Sequence, residues 1–384
     1  MSLIDKALQV PHDYFPPIST NYLQDLPILS IFILAYYKIH YLRQAVESVL
    51  DQDYQNVELI LIDNDAIEDV PYYLEKVYRE HPNVALLRFE ENQYSWEDIT
   101  SIYVVFNVAL MKANGSYVGC LSYDDKISSN YATKLMQLFI DNPACMTAAP
   151  ASCSIDKNGE EDLDCQYKNR LMEKSNQRER YIDGFEIAKD TVCKLNRKLF
   201  SAFGDVMVIN KELVVKNGGY DGLIDFSQVF KFAAFGVTGY DPSAKIFWRH
   251  HSEQANRMYD HLRGGIWYAQ HKKSWDESGL IELWKDNFDD KYVQLLLEYK
   301  KEQIENAPKS KIEQFIRELR FRIALKGLIN IYKECPHLLG SCLLIALKEI
   351  SKTPYRILRK LISHTLSRNQ KLFIRKYILK NNLT

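Results

Sequence analysis

Seven cysteines are scattered through the 384 residues, and no Cys-x-x-Cys pair occurs among them. That absence argues against a zinc ribbon and against a disulfide framework. An odd number of thiols fits a reducing cytosol better than an oxidising compartment. An excess of charge of either sign is lacking too. The formal net charge is −1, which gives no global electrostatic case for a nucleic-acid partner. No apolar run approaches the roughly 20 residues needed to span a bilayer; the best candidate, around residues 343–347, is far shorter. The opening residues Met1-Ser2-Leu3-Ile4-Asp5-Lys6 lack the basic-then-apolar pattern of a signal peptide. Internal repeats and low-complexity tracts are absent as well. The expected location is the cytoplasm.

What is present is ample core. Hydrophobic residues make up 46% of the chain, enough to exclude wholesale disorder. The length suits two or three domains, or one large domain with an appendage. Residues 1–27 are polar and proline-bearing and read as an arm packed on the surface. Residues 28–34 then form an apolar run broken only by Ser30, the mark of a strand buried on both faces. Residues 41–50 carry Leu42, Ala45, Val46, Val49 and Leu50 on one side of a helix. Strand character returns at 57–62, 84–89 and 117–121, with helical stretches at 71–80 and 101–113 between. This alternation predicts an α/β fold with a mostly parallel, doubly wound sheet.

Further on, residues 154–180 are polar and aperiodic and read as a mobile excursion at the active face, where such insertions carry specificity. A buried strand is expected at 205–209. Gly218-Gly219 marks a turn, and a helix over 226–235 is expected to close at Gly236 as its C-terminal cap. A short strand at 246–248 runs into Arg249-His250-His251. Beyond about residue 257 the pattern is helical, with amphipathic stretches at 280–304, 312–332 and 338–350. From Gly340 onward ten basic residues face one acid, Glu349. Leucine, isoleucine, phenylalanine and tyrosine interleave with them. Two readings stay open there: a helical subdomain with a basic face, or an anchor on anionic lipid.

The chemistry concentrates at Cys120-Leu121-Ser122-Tyr123-Asp124-Asp125. An apolar strand delivers two adjacent carboxylates to the carboxyl edge of a sheet, where α/β proteins bind ligands. Adjacent acids repel unless a cation or a proton relieves them. They are equally able to cap the next helix.

Several motifs in order resemble a family 2 glycosyltransferase of the GT-A fold, over about residues 29–254. Residues 29–37, ending in Ala35-Tyr36-Tyr37, are similar to the family's first strand. Ser48-Val49-Leu50-Asp51-Gln52-Asp53-Tyr54-Gln55-Asn56-Val57-Glu58 resembles its Ser-Val-Leu-x-Gln-x-Tyr-x-Asn-x-Glu. Ile60-Leu61-Ile62-Asp63 resembles the strand carrying a nucleotide-binding aspartate. Asn107-Val108-Ala109 through Val118 is similar to the segment before Asp-x-Asp. Gly218-Gly219-Tyr220-Asp221 with Asp225 and Gly236, then Trp248-Arg249-His250-His251, complete the series. Four departures stand out. Ser122 replaces the first acid of Asp-x-Asp, and Ile224 the Glu of Glu-Asp. Asp63-Asn64-Asp65-Ala66-Ile67-Glu68-Asp69 replaces Asp-Asp-Gly-Ser-Thr-Asp, and Phe106 stands where Arg is frequent.

The resemblance implies a GT-A domain over 28–256 between the arm and a helical C-terminal region, 257–384, basic at its end. It implies an inverting glycosyltransferase that takes a nucleotide sugar, by default a UDP-sugar. The acceptor would be a glycan or a lipid-linked glycan in bacterial surface-polysaccharide, lipopolysaccharide or capsule synthesis. Asp225 would be the catalytic base. Ala35, Tyr36, Asp63, Asn107 and Asp124 would bind the donor. Asp124, Asp125 and His251 would hold Mn²⁺ or Mg²⁺. The position is cytoplasmic, and peripheral on the inner membrane face if the basic helices bind lipid. A catalytically silent sugar-nucleotide or glycan-binding module on the same fold remains the rival. A nucleotidyltransferase is disfavoured, because no Gly-rich, Lys-bearing phosphate loop follows the first strand.

Overall fold

The computed structural model describes residues 2–19, 21–94, 99–175, 179–193, 207–223, 225–252, 254 and 268–353. Two compact units are present: Met1–Ser252 with Gln270–Lys300, and Glu253–Ala269 with Lys301–Thr384.

The first unit is built on one sheet. Its strands are β1 (His12–Phe15), β2 (Leu29–Ala35), β3 (Val57–Asn64), β4 (Val84–Phe89), β5 (Tyr117–Leu121), β6 (Lys126–Ile127), β7 (Cys145–Ile155), β8 (Tyr181–Asp183), β9 (Val208–Asn210) and β10 (Val237–Arg249). Their order is β1-β4-β3-β2-β5-β9-β7-β10-β6, with β8 also pairing β10. The long ladders β4-β3-β2-β5 and β7-β10 are parallel, and the antiparallel pairings are short.

Both faces of the parallel strands are covered, which explains the near-continuous apolar runs. Leu29, Ile31 and Ile33 of β2 and Leu59 and Leu61 of β3 point to one core. Helices α2 (Ile39–Leu50), α3 (Val70–Glu80) and α5 (Tyr131–Asp141) fill that side. Phe32, Ile60 and Ile62 point to the other, against α1 (Leu3–Leu8), α4 (Tyr103–Lys112) and α8 (Lys211–Lys216). The parallel register aligns Ala35 with Asp63, and Ile33 with Leu121. Ala35, Asp63 and the turn after β5 therefore arrive at one carboxyl edge. Below, at the start of β3, Glu58 is fully buried and accepts hydrogen bonds from Ser30 and from the backbone and side chain of Asn114.

Several expectations change. The N-terminal residues contribute a helix and an edge strand, with Ile4 and Ala7 buried. The 154–180 excursion is largely ordered: β7 extends to Ile155 and α6 (Leu163–Ser175) follows. The Asn169 side chain clamps the Ser154 backbone at N–H and carbonyl (2.6 and 3.2 Å). The short strand at 246–248 is the end of the thirteen-residue β10. The strand expected at 205–209 appears as β9; residues 205 and 206 lie outside the described set. After α7 (Gly184–Val192), the expected helix over 226–235 is three kinds of turn. These are α9 (Asp225–Ser227), a π-helical stretch Gln228–Phe232, and a 3₁₀ turn Ala233–Phe235. Gly236 is not a left-handed cap: its φ is −178°. Glycine is there for space, since a Cβ would stand 2.4 Å from the Met146 side chain.

The remaining helices are α10 (Tyr268–Glu277), α11 (Leu280–Asn287), α12 (Asp290–Arg317), α13 (Phe321–Glu334) and α14 (Leu339–Ser351). The stretch read as one helix from 280 breaks at Phe288, and the one from 312 breaks near Leu319, whose φ is +63°. In the second unit Ile312, Phe315, Ala324, Ile331, Cys342 and Ala346 form a separate core. The most basic part of the tail, 354–384, lies outside the described residues.

Candidate active site

At the end of β2 the chain turns sharply through Tyr36, Tyr37 and Lys38. Lys38 is in the left-handed region at φ +61°, with its ammonium 4.5 Å over the Tyr37 ring. The Tyr36 carbonyl accepts from the Ile67 N–H (2.9 Å), which ties the β2 and β3 ends together. Tyr37 lies against Tyr36 and Tyr123, ring centroids 5.6 and 5.7 Å apart. Burial drives the Tyr123 phenol far above its ordinary range, with Asp124 and Tyr37 adding to the shift. It therefore stays a neutral hydrogen-bonding group beside the acid pair.

Asp63 is buried at the end of β3. Its carboxylate accepts from the Ala66 N–H (2.9 Å) and from Arg88 Nε (2.9 Å). Register places Arg88 there, opposite Asp63 in the β3–β4 ladder. The ion pair has one open side: Arg88 is 33% exposed and Asp63 only 4%. Next to it Asn64 holds the loop after β4. It accepts from the Gln93 N–H, and its amide donates to Asn92.

Asp124 and His251 meet although 127 residues apart: Oδ2 to Nε2 is 2.9 Å, with side-chain exposures of 14% and 2%. His251 packs on Tyr41, ring centroids 4.7 Å apart. Its Nδ1 is buried and has no hydrogen-bond partner among the described residues. Asp125 points elsewhere. Its Oδ1 accepts from the Arg249 N–H (2.8 Å). Among the described residues no group of three His, Cys, Asp or Glu side chains is arranged to hold a metal ion. Of the expected trio, Asp124 and His251 meet, while Asp125 is engaged by the Arg249 backbone.

Arg249 is completely buried and organises this corner. Nε donates to the Asp124 carbonyl (2.6 Å) and one terminal nitrogen to Gln44 (2.8 Å). The other terminal nitrogen reaches the carbonyls of Asp156 and Lys157 (3.4 and 3.3 Å). Burial lowers its pKa, opposed by the nearby Asp125, Tyr41 and Asp124. One guanidinium so joins the acid turn, α2 and the loop after β7.

Asn107, expected among the donor-binding residues, lies inside the fold. It is fully buried in α4, and its amide is matched to the Tyr220 backbone in both directions (2.8 and 2.9 Å). Gly219 makes this possible: its φ is +79° and an added Cβ would stand 2.4 Å from the Asn107 oxygen. Beyond it, Asp221 and Lys231 form a buried ion pair at 3.0 Å. Asp221 also accepts from the Leu223 N–H and the Ser227 hydroxyl (2.9 and 2.5 Å). Asp225 opens α9 within this braced segment; its side chain lies outside the described set.

Sequence reasoning had no role for Arg88, Arg249 or Lys231. Arg88 and Lys231 were polar residues inside otherwise apolar stretches, the one local signal they offered.

The arrangement is that of an α/β protein with its candidate site residues at the carboxyl ends of the strands. Its fold is shared with a solved structure of TarS residues 1–349 from S. aureus in complex with UDP-GlcNAc. That likeness has a TM-score of 0.53 and 13% sequence identity, covering 87% of this chain and 92% of that one. Residues 30–191 match the family model described as Glycosyl transferase family 2. An uncharacterized glycosyltransferase of Haemophilus influenzae is 30% identical over 135 residues, 35% of this chain. Chondroitin synthase of Pasteurella multocida is 22% identical over 153 residues, 39% of this chain. The matched segments span 51% of the first protein and 15% of the second.

Proposed function

We propose that this chain is an inverting glycosyltransferase that moves a sugar from a nucleotide-sugar donor, a UDP-sugar, to a glycan or lipid-linked acceptor in bacterial surface-polysaccharide synthesis, including lipopolysaccharide and capsule. The observation that carries the reading is the 2.9 Å contact of Asp124 with His251 at the carboxyl edge that also bears Asp63. The likeness to chondroitin synthase supports a polysaccharide product, and the UDP-GlcNAc complex of TarS supports the donor class.

Asp124 and His251 suit a divalent cation. Asp124 would offer it a carboxylate oxygen and His251 an imidazole nitrogen, side by side at the carboxyl edge. The orphaned Nδ1 of His251 is consistent with an imidazole whose working nitrogen faces Asp124. A nitrogen ligand favours Mn²⁺ over Mg²⁺. The bound cation would neutralise charge developing on the leaving diphosphate. Asp125 would orient the turn through Arg249.

Asp63, steadied by Arg88, would accept hydrogen bonds from the nucleoside, with Tyr36 stacking on the base and Ala35 lining the strand end. Asn107 would be a positioning residue acting through Tyr220. The acceptor hydroxyl would bond to the anomeric carbon as the bond from that carbon to the diphosphate oxygen breaks. The electron pair leaves with the nucleoside diphosphate, and the hydroxyl proton passes to Asp225. Attack opposite the leaving group inverts the anomeric centre.

We place the enzyme in the cytoplasm, at the inner membrane face through its basic C-terminal residues. The described residues contain no helix long and apolar enough to cross a membrane.

The test is release of nucleoside diphosphate from a panel of nucleotide sugars with Mn²⁺ or Mg²⁺. Release from a UDP-sugar that stops with chelator is the expected result. Donor binding without release, across a broad acceptor panel, would favour the silent module that Ser122 and Ile224 suggest.

A further inference from the structure

The second unit carries an apolar surface that its own core does not use. On α13, Ala324, Gly327 and Ile331 face inward. Phe321, Leu325, Ile329 and Tyr332 are 42–65% exposed, and at 3.6 residues per turn they share one arc of about 80°. Arg322, Lys326 and Lys333 are exposed along one flank of that arc.

The next helix repeats the plan. Cys342, Ala346 and Glu349 of α14 face inward. Leu343, Leu344, Leu347 and Ile350 are 43–70% exposed. Lys348 and Lys352 are exposed beside them.

The acids are on the other side. Glu349 is buried and bonded to Arg317 and Lys352 (3.4 and 2.7 Å). Glu334 is half-buried, on the inward side of α13. Each helix therefore has three faces: core, exposed apolar stripe, and cationic flank. A helix that only packs on a core needs two.

We infer that the apolar stripes of α13 and α14, with their cationic flanks, are a docking surface for an anionic lipid leaflet. The apolar side chains enter the acyl boundary while the flanking cations meet lipid phosphates. At 14 and 13 residues the helices are too short to span a bilayer, so they lie on it. Charge complementarity selects this occupant: the exposed flanks carry cations and no acid, and after Glu349 the sequence contains no Asp or Glu at all. The inference is separate from the glycosyl-transfer reading. It rests on the membrane placement proposed above and extends that contact from the basic tail to α13 and α14, beginning at Phe321.

The experiment is co-flotation of the full chain with vesicles of phosphatidylglycerol and phosphatidylcholine in equal parts, and with phosphatidylcholine alone. The parent chain should bind the anionic vesicles and release in high salt. Leu344→Glu with Leu347→Glu, and separately Leu325→Glu, should each lower partition about tenfold or more with unchanged circular dichroism. If a glutamate variant misfolds, the surface reversal Lys333→Glu with Lys348→Glu gives the same reading. Variants that partition like the parent would overturn the inference and leave binding to the tail. Equal, salt-insensitive binding to phosphatidylcholine would overturn the charge argument. A parent dimer that Leu344→Glu with Leu347→Glu makes monomeric, vesicle binding unchanged, would assign the face to a second copy. Nucleoside diphosphate release is scored separately, so either proposal can fail alone.

Discussion

Lys231→Met isolates one buried interaction. The Lys231 and Asp221 side chains are each 1% exposed, and Nζ lies 3.0 Å from Oδ2. Lys231 also donates to the Ser278 carbonyl (3.3 Å), while its own carbonyl accepts from Asn217 (2.6 Å). Methionine keeps most of the lysine stem, so the cavity term is small. What changes is charge: Asp221 keeps its bonds to Leu223 and Ser227 but loses its counter-ion in a site without water access. Breaking a buried pair from one side costs about 3–5 kcal/mol. At about 2–4 °C per kcal/mol for a domain of this size, the melting temperature should fall by about 6–20 °C. Adding Asp221→Asn removes the stranded charge and leaves a neutral amide to accept from Leu223. The double variant should regain about half of the loss, because the pair itself contributes far less than the penalty of a lone buried ion. Denaturant titration of the four proteins closes the cycle. A Lys231→Met variant within about 1 kcal/mol of the parent, or a double variant no more stable than it, would refute the reasoning. Since the pair braces the segment that opens at Asp225, turnover of the folded single variant should fall as well.

Asp124→Ala should weaken metal-dependent donor binding, and His251→Gln should shift the Mn²⁺ titration of turnover to higher concentration. A His251→Gln titration that overlays the parent would remove His251 from the metal site. Asp225→Asn should lower kcat by about 10²–10⁴-fold with donor affinity largely kept; transfer at the parental rate would exclude it as the base. Alkaline stability follows the phenols. Burial pushes Tyr14, Tyr54 and Tyr73 up to about 12, against about 10 in an unfolded chain. Their contribution is complete below pH about 10 and is lost as pH rises through about 12. Denaturation midpoints should therefore drop across that window. Phenolate absorbance should rise in two phases, the later one coinciding with unfolding. A single phase near pH 10 would contradict the buried phenols.

The sequence by itself determined the sheet and its edge. Runs such as Leu29 to Ala35 and Val57 to Ile62 are apolar except for Ser30 and Glu58, because both faces of a parallel strand are covered. That pattern is local, so it can be read without the fold. The motif order likewise put Ala35, Asp63 and Asp124 at strand ends, where the register brings them to one side. Helical character beyond residue 280 was visible too, though not its breaks at Phe288 and Leu319, which depend on how each turn packs.

Only the tertiary structure decided how polar groups find partners, since a buried charge or amide is satisfied by whatever lies nearest in space, however distant in sequence. Asp63 meets Arg88 because β3 and β4 align them. Asn107 closes on the backbone of Tyr220, 113 residues away. Asp125 turns to the Arg249 backbone while its neighbour Asp124 turns to His251. Adjacency in the chain made the two acids look like one ligand pair. Alternating hydrogen-bond partners in space made them different residues, one at the rim of the site and one beneath it.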